Sequence, residues 1–343
     1  MRARSFSAIR RTVFALALCL PLVASETLAA AAGVPTDAAP STTPSLRPAA
    51  SGETVLAAAS GSRARTTRRR RPRRRYRQTA LRLPEVTPHG IPRLHAKAAY
   101  VVDATNNRVL FQKNPERSFP IASLTKLMTA LVFFQTKPEF DRYVMISQDD
   151  KWHSSRSHLR PGEEISIRDL IHAALMSSDN VATKALVRTC GVPYPEFIGR
   201  MNAMADSLGL QGAHFVEPTG LDERNVATAS DCAKLLQVAS ENPIVSAVMQ
   251  KASYDFTSNR RRHELVNTNR LLRSKWRVTA GKTGFIQEAG YCLATNVETS
   301  SGTEITAVLL GAPSNTLRFA EVRRLLDWSY RFGLAVADSP GTD

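Results

Sequence analysis

The sequence is short of several things that would narrow its role quickly. Cysteine is scarce: four residues in 343, with Cys19 near the N-terminus and Cys190, Cys232 and Cys292 far apart. Such spacing excludes a disulfide-stapled miniature fold and offers no grouped thiolates for zinc. It leaves open one disulfide with one free thiol, or three buried thiols. A membrane-spanning segment is missing from the N-terminus, because the apolar run from Thr12 to Ala24 is shorter than the roughly 20 residues a spanning helix needs. Acidic residues are rare in the first 93 positions, 4 against 17 Lys and Arg, whereas the remaining 250 hold 26 against 29. The net charge of +16 is therefore a property of the N-terminal tail, and it makes no case for a basic folded domain that grips nucleic acid.

What the N-terminus does have is an order. Arginines come first, then the apolar run to Ala24, then small residues, which is the layout of a secretory signal over 1–32 with cleavage near 24–32. Lipidation at Cys19 is disfavoured by the bulky Leu18 before it. From 33 to 93 the chain is rich in Ala, Ser, Thr, Pro and Arg and includes "TTRRRRPRRRYR" at 66–77. It holds too little apolar surface to offset its ordering entropy and reads as a disordered basic tail. An exported protein meets little nucleic acid, so the tail's candidate partners are an anionic wall polymer or a membrane surface, beside the plain reading of a solvated linker. The localisation expected is the periplasm or cell-wall space.

A domain over 94–334 follows, with 335–343 as a short C-terminal tail that leaves no room for another domain. "AAYVVDATNNRVLFQKN" (98–114) reads as a hairpin turning at Thr105–Arg108, and "GYCLATNVETSSGTEITAVLLGAP" (290–313) as another turning at Ser300–Gly302. Residues 316–333 form an amphipathic helix with Val322, Leu325 and Leu326 inward. Between the hairpins the pattern is mainly helical. Ser166 and Asp169 resemble a capping box before Ile167, Leu170, Ile171, Ala174 and Leu175. Strands from both chain ends with helices between them predict an α+β fold, an antiparallel sheet flanked by helices and a largely helical lobe.

The chemistry is concentrated in three places. In "FPIASLTKLMTALVFF" (119–134) the apolar residues repeat at helical spacing, and Pro120 marks the expected helix start. Ser123 and Lys126 sit one turn apart on this helix, and an ammonium buried there without partners would be costly or would lose its proton. A Ser-x-x-Lys pair arises by chance about once in a chain of this length. Two further elements change its weight: Ser178-Asp179-Asn180 after the capped helix, and Lys282-Thr283-Gly284 on a strand-like stretch. Together, in this order, they are the signature set of serine β-lactamases and penicillin-binding proteins.

The chain resembles the low-molecular-mass D-alanyl-D-alanine peptidases of family S11 over about 94–333. The likeness lies in "RLHAKAAYVVDATNNRVLFQKNPERSFPIASLTKLMTALV", "SHLRPGEEISIRDLIHAALMSSDN", "FVEPTGLDERNVATASD" and "KTGFIQEAGYCLA". "LMSSDN" and "NTNRLL" resemble the DD-endopeptidase branch of the penicillin-binding protein 7 type. This implies a β-lactamase/DD-peptidase-like fold and a serine peptidase acting on peptidoglycan peptides through an acyl-enzyme, with β-lactams as inhibitors and no metal or organic cofactor. By the same resemblance Ser123 is the nucleophile, Lys126 the proton acceptor, and Ser178 a relay between Lys126 and the leaving nitrogen. Asn180 binds the substrate amide and Lys126. Lys282 and Thr283 bind the substrate carboxylate, Gly284 lets the substrate strand lie close to the sheet edge, and the backbone N–H groups of Ser123 and Phe285 form the oxyanion hole. Burial and the nearby Lys282 are expected to lower the pKa of Lys126.

Two other functions are weighed. A class A-like β-lactamase needs a second carboxylate in a Glu-x-x-Leu-Asn pattern. The carboxylate at comparable distance, Glu217, precedes "PTGL", so rapid β-lactam hydrolysis is not expected. A non-catalytic wall-binding protein would not need all three motifs intact. His158, Arg160 and Glu217 are assigned structural roles, and Arg260-Arg261-Arg262 reads as a solvated loop, with acidic wall polymer as an alternative contact.

Overall fold

The computed structural model describes residues 86–333 except 88, 89, 153, 155 and 156. The expected export signal, most of the basic tail and the stretch 335–343 lie outside them. Ahead of Leu94, Val86 pairs with Pro92 across a turn. The chain then forms β1 (Ala98–Asp103), β2 (Arg108–Lys113), a two-residue β3 (Phe119–Pro120) and α1 (Thr125–Gln135). β4 (Tyr143–Met145), α2 (Gln148–Lys151), β5 (Glu164–Ser166), α3 (Ile167–Leu175), α4 (Asn180–Thr189) and α5 (Tyr194–Ser207) follow. Next come β6 (Val226–Ala227), α6 (Ala229–Glu241), α7 (Pro243–Gln250), β7 (Ser253–Thr257) and β8 (Arg262–Val266). The last elements are β9 (Arg277–Ile286), β10 (Gly290–Glu298), β11 (Glu304–Ala312) and α8 (Asn315–Trp328).

Five strands from the two chain ends form one antiparallel sheet in the order β2-β1-β11-β10-β9. Both expected hairpins are present, and Asn107 takes the left-handed φ of +59° that asparagine tolerates in a tight turn. Successive strand residues face opposite sides. Ile305, Ala307 and Leu309 pack with Phe319, Val322, Leu325 and Leu326 of α8, while Val308 and Leu310 join the core of the helical lobe. Both faces are therefore covered, and each buried leucine or valine contributes about 1.5–3 kcal/mol relative to exposure. β9 is left as an open edge facing the helical lobe.

Several expectations need correction. Pro120 does not start a helix. It ends β3, which pairs with β6, and a 3-10 turn at Ala122–Leu124 precedes α1. Ala122 has a φ of +49°, a left-handed conformation that a right-handed helix does not admit. The region between the terminal hairpins is mainly helical, as expected, and also carries a third hairpin formed by β7 and β8. Ser166 does cap α3 by accepting from the Asp169 amide, but the Asp169 carboxylate accepts from the Ser166 hydroxyl at 2.6 Å. The backbone of Ser166 is already paired opposite Tyr143 of β4, so no full capping box forms.

Of the arginine triplet, Arg260 and Arg262 are exposed, in keeping with the solvated reading, while Arg261 is half-buried. Arg261 pairs at 3.0 Å with Glu163, which is buried and also 2.6 Å from His263, and Arg262 pairs with Asp255. This ties the third hairpin to the segment before β5. The described cysteines are free thiols; Cys232 and Cys292 are buried and Cys190 half-buried.

Candidate active site

Ser123 lies in the 3-10 turn and Lys126 in the first turn of α1, where the i, i+3 spacing brings the two side chains together. Lys126 is 1% exposed. Its Nζ lies 3.0 Å from Ser123 Oγ, 2.6 Å from Asn180 Oδ1 and 2.6 Å from the Thr219 carbonyl oxygen. A neutral amine has two N–H groups and one lone pair. If the two short contacts take both N–H groups, the lone pair is left for the Ser123 hydroxyl proton. Burial, the largest influence, pushes the Lys126 pKa down to about 7, with Lys184 pushing the same way and Glu217 and Asp179 opposing. A cavity of about 20 Å³ beside the lysine stem is walled in part by Phe133, Ile171, Leu175 and Leu186, so the stem lies in largely apolar surroundings.

The backbone around the nucleophile is built with little tolerance. A Cβ at Gly220 would lie 2.0 Å from the Ala122 carbonyl oxygen and 2.8 Å from Ser123 N. A Cβ at Gly284 would lie 2.7 Å from the Ile121 carbonyl oxygen and 3.1 Å from Ser123 N. The Ser123 turn is thus clasped between two glycines. The close approach at Gly284 is to the nucleophile's own segment.

Ser178 has a φ of +62°, a left-handed strain held by the short link between α3 and α4. Its Oγ accepts from Lys282 Nζ at 2.7 Å, so its amine partner is Lys282 and not the expected Lys126. Asp179 caps α4 through the Ala182 amide and accepts from Ser157, and this aims Asn180 at Lys126. Lys282 is 1% exposed on β9. Its pKa is pushed well down by burial first, then by Lys126 and Arg318. Repulsion between the two buried lysines is mutual, and Lys184 is a further cation that depresses Lys126.

Thr283 donates from its hydroxyl to Thr268 Oγ1 at 2.7 Å, and Thr268 bonds the Met176 carbonyl, which fastens β9 to the helical lobe. Phe285 continues β9 with its side chain 43% exposed and stacked on Tyr291. Arg318 of α8, unanticipated from sequence, donates from Nη1 to the Gly284 and Cys292 carbonyls at 3.0 Å each. Its position four residues before inward-facing Val322 is the signal that would have found it.

Glu217 has the structural role expected. Oε2 accepts from the Thr219 amide and hydroxyl, at 2.8 and 2.6 Å, and Oε1 from the Leu221 amide and the Asn225 side chain, at 2.9 and 2.7 Å. The Gly220 amide adds a further bond. With both oxygens occupied this carboxylate is not available to activate water, which weighs against the β-lactamase alternative. His158 and Arg160 contribute backbone carbonyls, His158 to Arg261 and Arg160 to the Glu163 amide.

A hydroxyl facing a buried amine, a second hydroxyl on a second amine and an open strand edge make a site suited to acyl transfer through serine. The comparisons with known proteins agree with this class. The family described as D-alanyl-D-alanine carboxypeptidase, peptidase S11, matches residues 85–314. A D-alanyl-D-alanine endopeptidase of Pseudomonas aeruginosa is 35% identical over 240 residues, 68% of this chain and 77% of that protein. One of Escherichia coli is 34% identical over 256 residues, 73% of this chain and 82% of that protein. The crystal structure of the Streptomyces K15 DD-transpeptidase superposes with a TM-score of 0.67 at 26% identity, over 70% of this chain and 99% of that one. The chain belongs to the S11 D-alanyl-D-alanine carboxypeptidase family. It is a hydrolase, a serine DD-peptidase acting on peptidoglycan.

Proposed function

We propose that Ser123 attacks the penultimate D-alanine carbonyl of a peptidoglycan stem peptide, and that cross-linked peptides are the preferred substrates. The observation that carries the catalytic reading is the Lys126 amine, buried and 3.0 Å from Ser123 Oγ. In acylation the Ser123 Oγ–carbonyl bond forms while its proton passes to Lys126. As the peptide C–N bond breaks, the leaving nitrogen takes a proton from the Ser178 hydroxyl, which is replenished by Lys282. Water then cleaves the ester: Lys126 returns its proton to Ser123 Oγ, a proton of the water recharges Lys282 through Ser178, and a D-alanine carboxylate is left. Lys282 and Thr283 hold the substrate carboxylate, which returns Lys282 to its charged form. The Asn180 amide nitrogen binds the substrate amide, and the Ser123 and Phe285 N–H groups receive the oxyanion.

The preference for cross-links is supported by the relatives named endopeptidases, and carboxypeptidase activity on a terminal D-alanine uses the same residues. The signal-like N-terminus supports export to the periplasm or wall space. The basic tail is assigned a tethering role toward anionic wall polymer or membrane surface, and β-lactams act as acylating inhibitors. Digestion of purified cross-linked muropeptides tests the reading: monomers are expected, and release of D-alanine alone would overturn the endopeptidase preference. Ser123→Ala is expected to abolish both products and labelling by fluorescent penicillin; labelling that persists would overturn the nucleophile.

A further inference from the structure

We infer that Glu217 and Lys184, which belong to none of the three motifs, are positioning residues that act on Lys126 as an opposed pair of charges and set the pH at which it becomes a base. The inference rests on the reading of Lys126 as proton acceptor.

Glu217 reaches Lys126 through a group that touches it, and Lys184 stands one helical turn from another such group. Glu217 grips the Thr219 amide and hydroxyl, and the Thr219 carbonyl accepts from Lys126 Nζ at 2.6 Å. The same carboxylate holds Gly220, whose backbone abuts Ala122 and Ser123. Lys184 lies four residues after Asn180 on α4, hence on the same helix face, and Asn180 Oδ1 is the second short contact of Lys126. The half-buried Lys184 ammonium is anchored at 2.5 Å on the Trp152 carbonyl and forms no ion pair among the described residues. Its charge is offset only in part, by Glu217 and Asp150.

The surroundings leave few competitors. The other charged groups acting on Lys126 are Asp179, which is committed to capping α4, and the buried Lys282 of β9. α3 lines the lysine stem with Ile171, Ala174 and Leu175 only. Against α1, α5 buries Phe197, Met201 and Ala205, and α6 brings the thiol of Cys232, kept neutral by burial, and Asp231, which caps its own helix. Lys184 itself faces Glu217 and Asp150, and Asp150 is engaged by Arg188. A negative and a positive group beside one buried amine pull its titration in opposite directions.

The test titrates Lys126 directly, by NMR of protein carrying 13C at lysine Cε with Lys126→Arg as the assignment control, and follows acylation by fluorescent penicillin over the same pH range. Lys184→Gln is expected to move the Lys126 midpoint to higher pH and Glu217→Gln to lower pH. Shifts of about half a unit correspond to a roughly threefold change in acylation rate on the acid limb. Lys184→Arg keeps the charge and is expected to hold the midpoint in place. A purely structural role predicts slower acylation without movement of the midpoint. A midpoint unmoved in Lys184→Gln, or moving the same way in both variants, overturns the inference. Should Glu217→Gln fail to fold, the Lys184 pair decides alone. If the wild type is not acylated, the peptidase reading falls while the NMR titration still decides this one.

Discussion

Gly284→Ala isolates the geometry on which the nucleophile depends. An added methyl group would sit 2.7 Å from the Ile121 carbonyl oxygen and 3.1 Å from both Ala122 Cβ and Ser123 N. Relieving those contacts to ordinary van der Waals distance takes a movement of roughly 0.5–1 Å shared between β9 and the Ser123 turn. Gly284 is not among the residues with positive φ, so alanine is not strained by its own backbone there. Lower unfolded-state entropy even offsets part of the overpacking, by about 0.4–1 kcal/mol. Folding stability should therefore change by about 1–2 kcal/mol at most. The reaction is less forgiving, because a displacement of about 1 Å at a reacting group can cost 100-fold.

The expected result is a tenfold or greater fall in the second-order acylation rate with fluorescent penicillin, alongside a urea unfolding curve close to wild type. Gly220→Ala is the contrasting case. Its φ of +82° and the 2.0 Å approach to the Ala122 oxygen predict losses of both stability and rate. Wild-type acylation by a folded Gly284→Ala would refute the claim that the two glycines set the position of Ser123.

Three further predictions concern other parts of the site. Lys282→Met should slow acylation by penicillin about 10- to 100-fold, in line with about 1.5–3 kcal/mol for a hydrogen bond to a charged group. A penicillin methyl ester, which lacks the carboxylate, should lose much less, and equal losses for both would remove the carboxylate role. Arg318→Met leaves the Gly284 and Cys292 carbonyls without their donor. It should lower urea-measured stability by about 2–4 kcal/mol, and a change below about 1 kcal/mol would contradict the bracing role. Burial raises the thiol pKa of Cys292 to about 11 and that of Cys232 well above its ordinary value. Cys190 should therefore be alkylated first in the folded domain, as read by peptide mass spectrometry.

Much of the site was legible because its chemistry is local in sequence. Ser123 and Lys126 meet through helical spacing alone, and Ser178 to Asn180 announce themselves by capping a helix. The terminal hairpins were legible through their turn residues. What escaped is long-range or carried by backbone. The Thr219 carbonyl has no residue-type signal, since any amino acid supplies one. Gly220 matters only because Ala122 comes within touching distance from 98 positions away in the chain. Arg318 looks like one more charge on an amphipathic helix until β9 and β10 place two carbonyls beside it. Pro120 misled for a related reason: proline suits a helix start, but the pairing of β3 with β6 and the left-handed Ala122 delay the helix to Thr125. The partner of Ser178 likewise depends on how β9 docks against the lobe, which no local pattern encodes.

The most direct test compares two curves for the unaltered enzyme, the NMR titration of Lys126 and the pH dependence of Ser123 acylation. Both are expected to turn at about 7, with the rate falling as the amine gains its proton. A Lys126 that stays fully charged to pH 8 or beyond while acylation runs undiminished at pH 7 would contradict the account, because some other group would then be taking the serine proton.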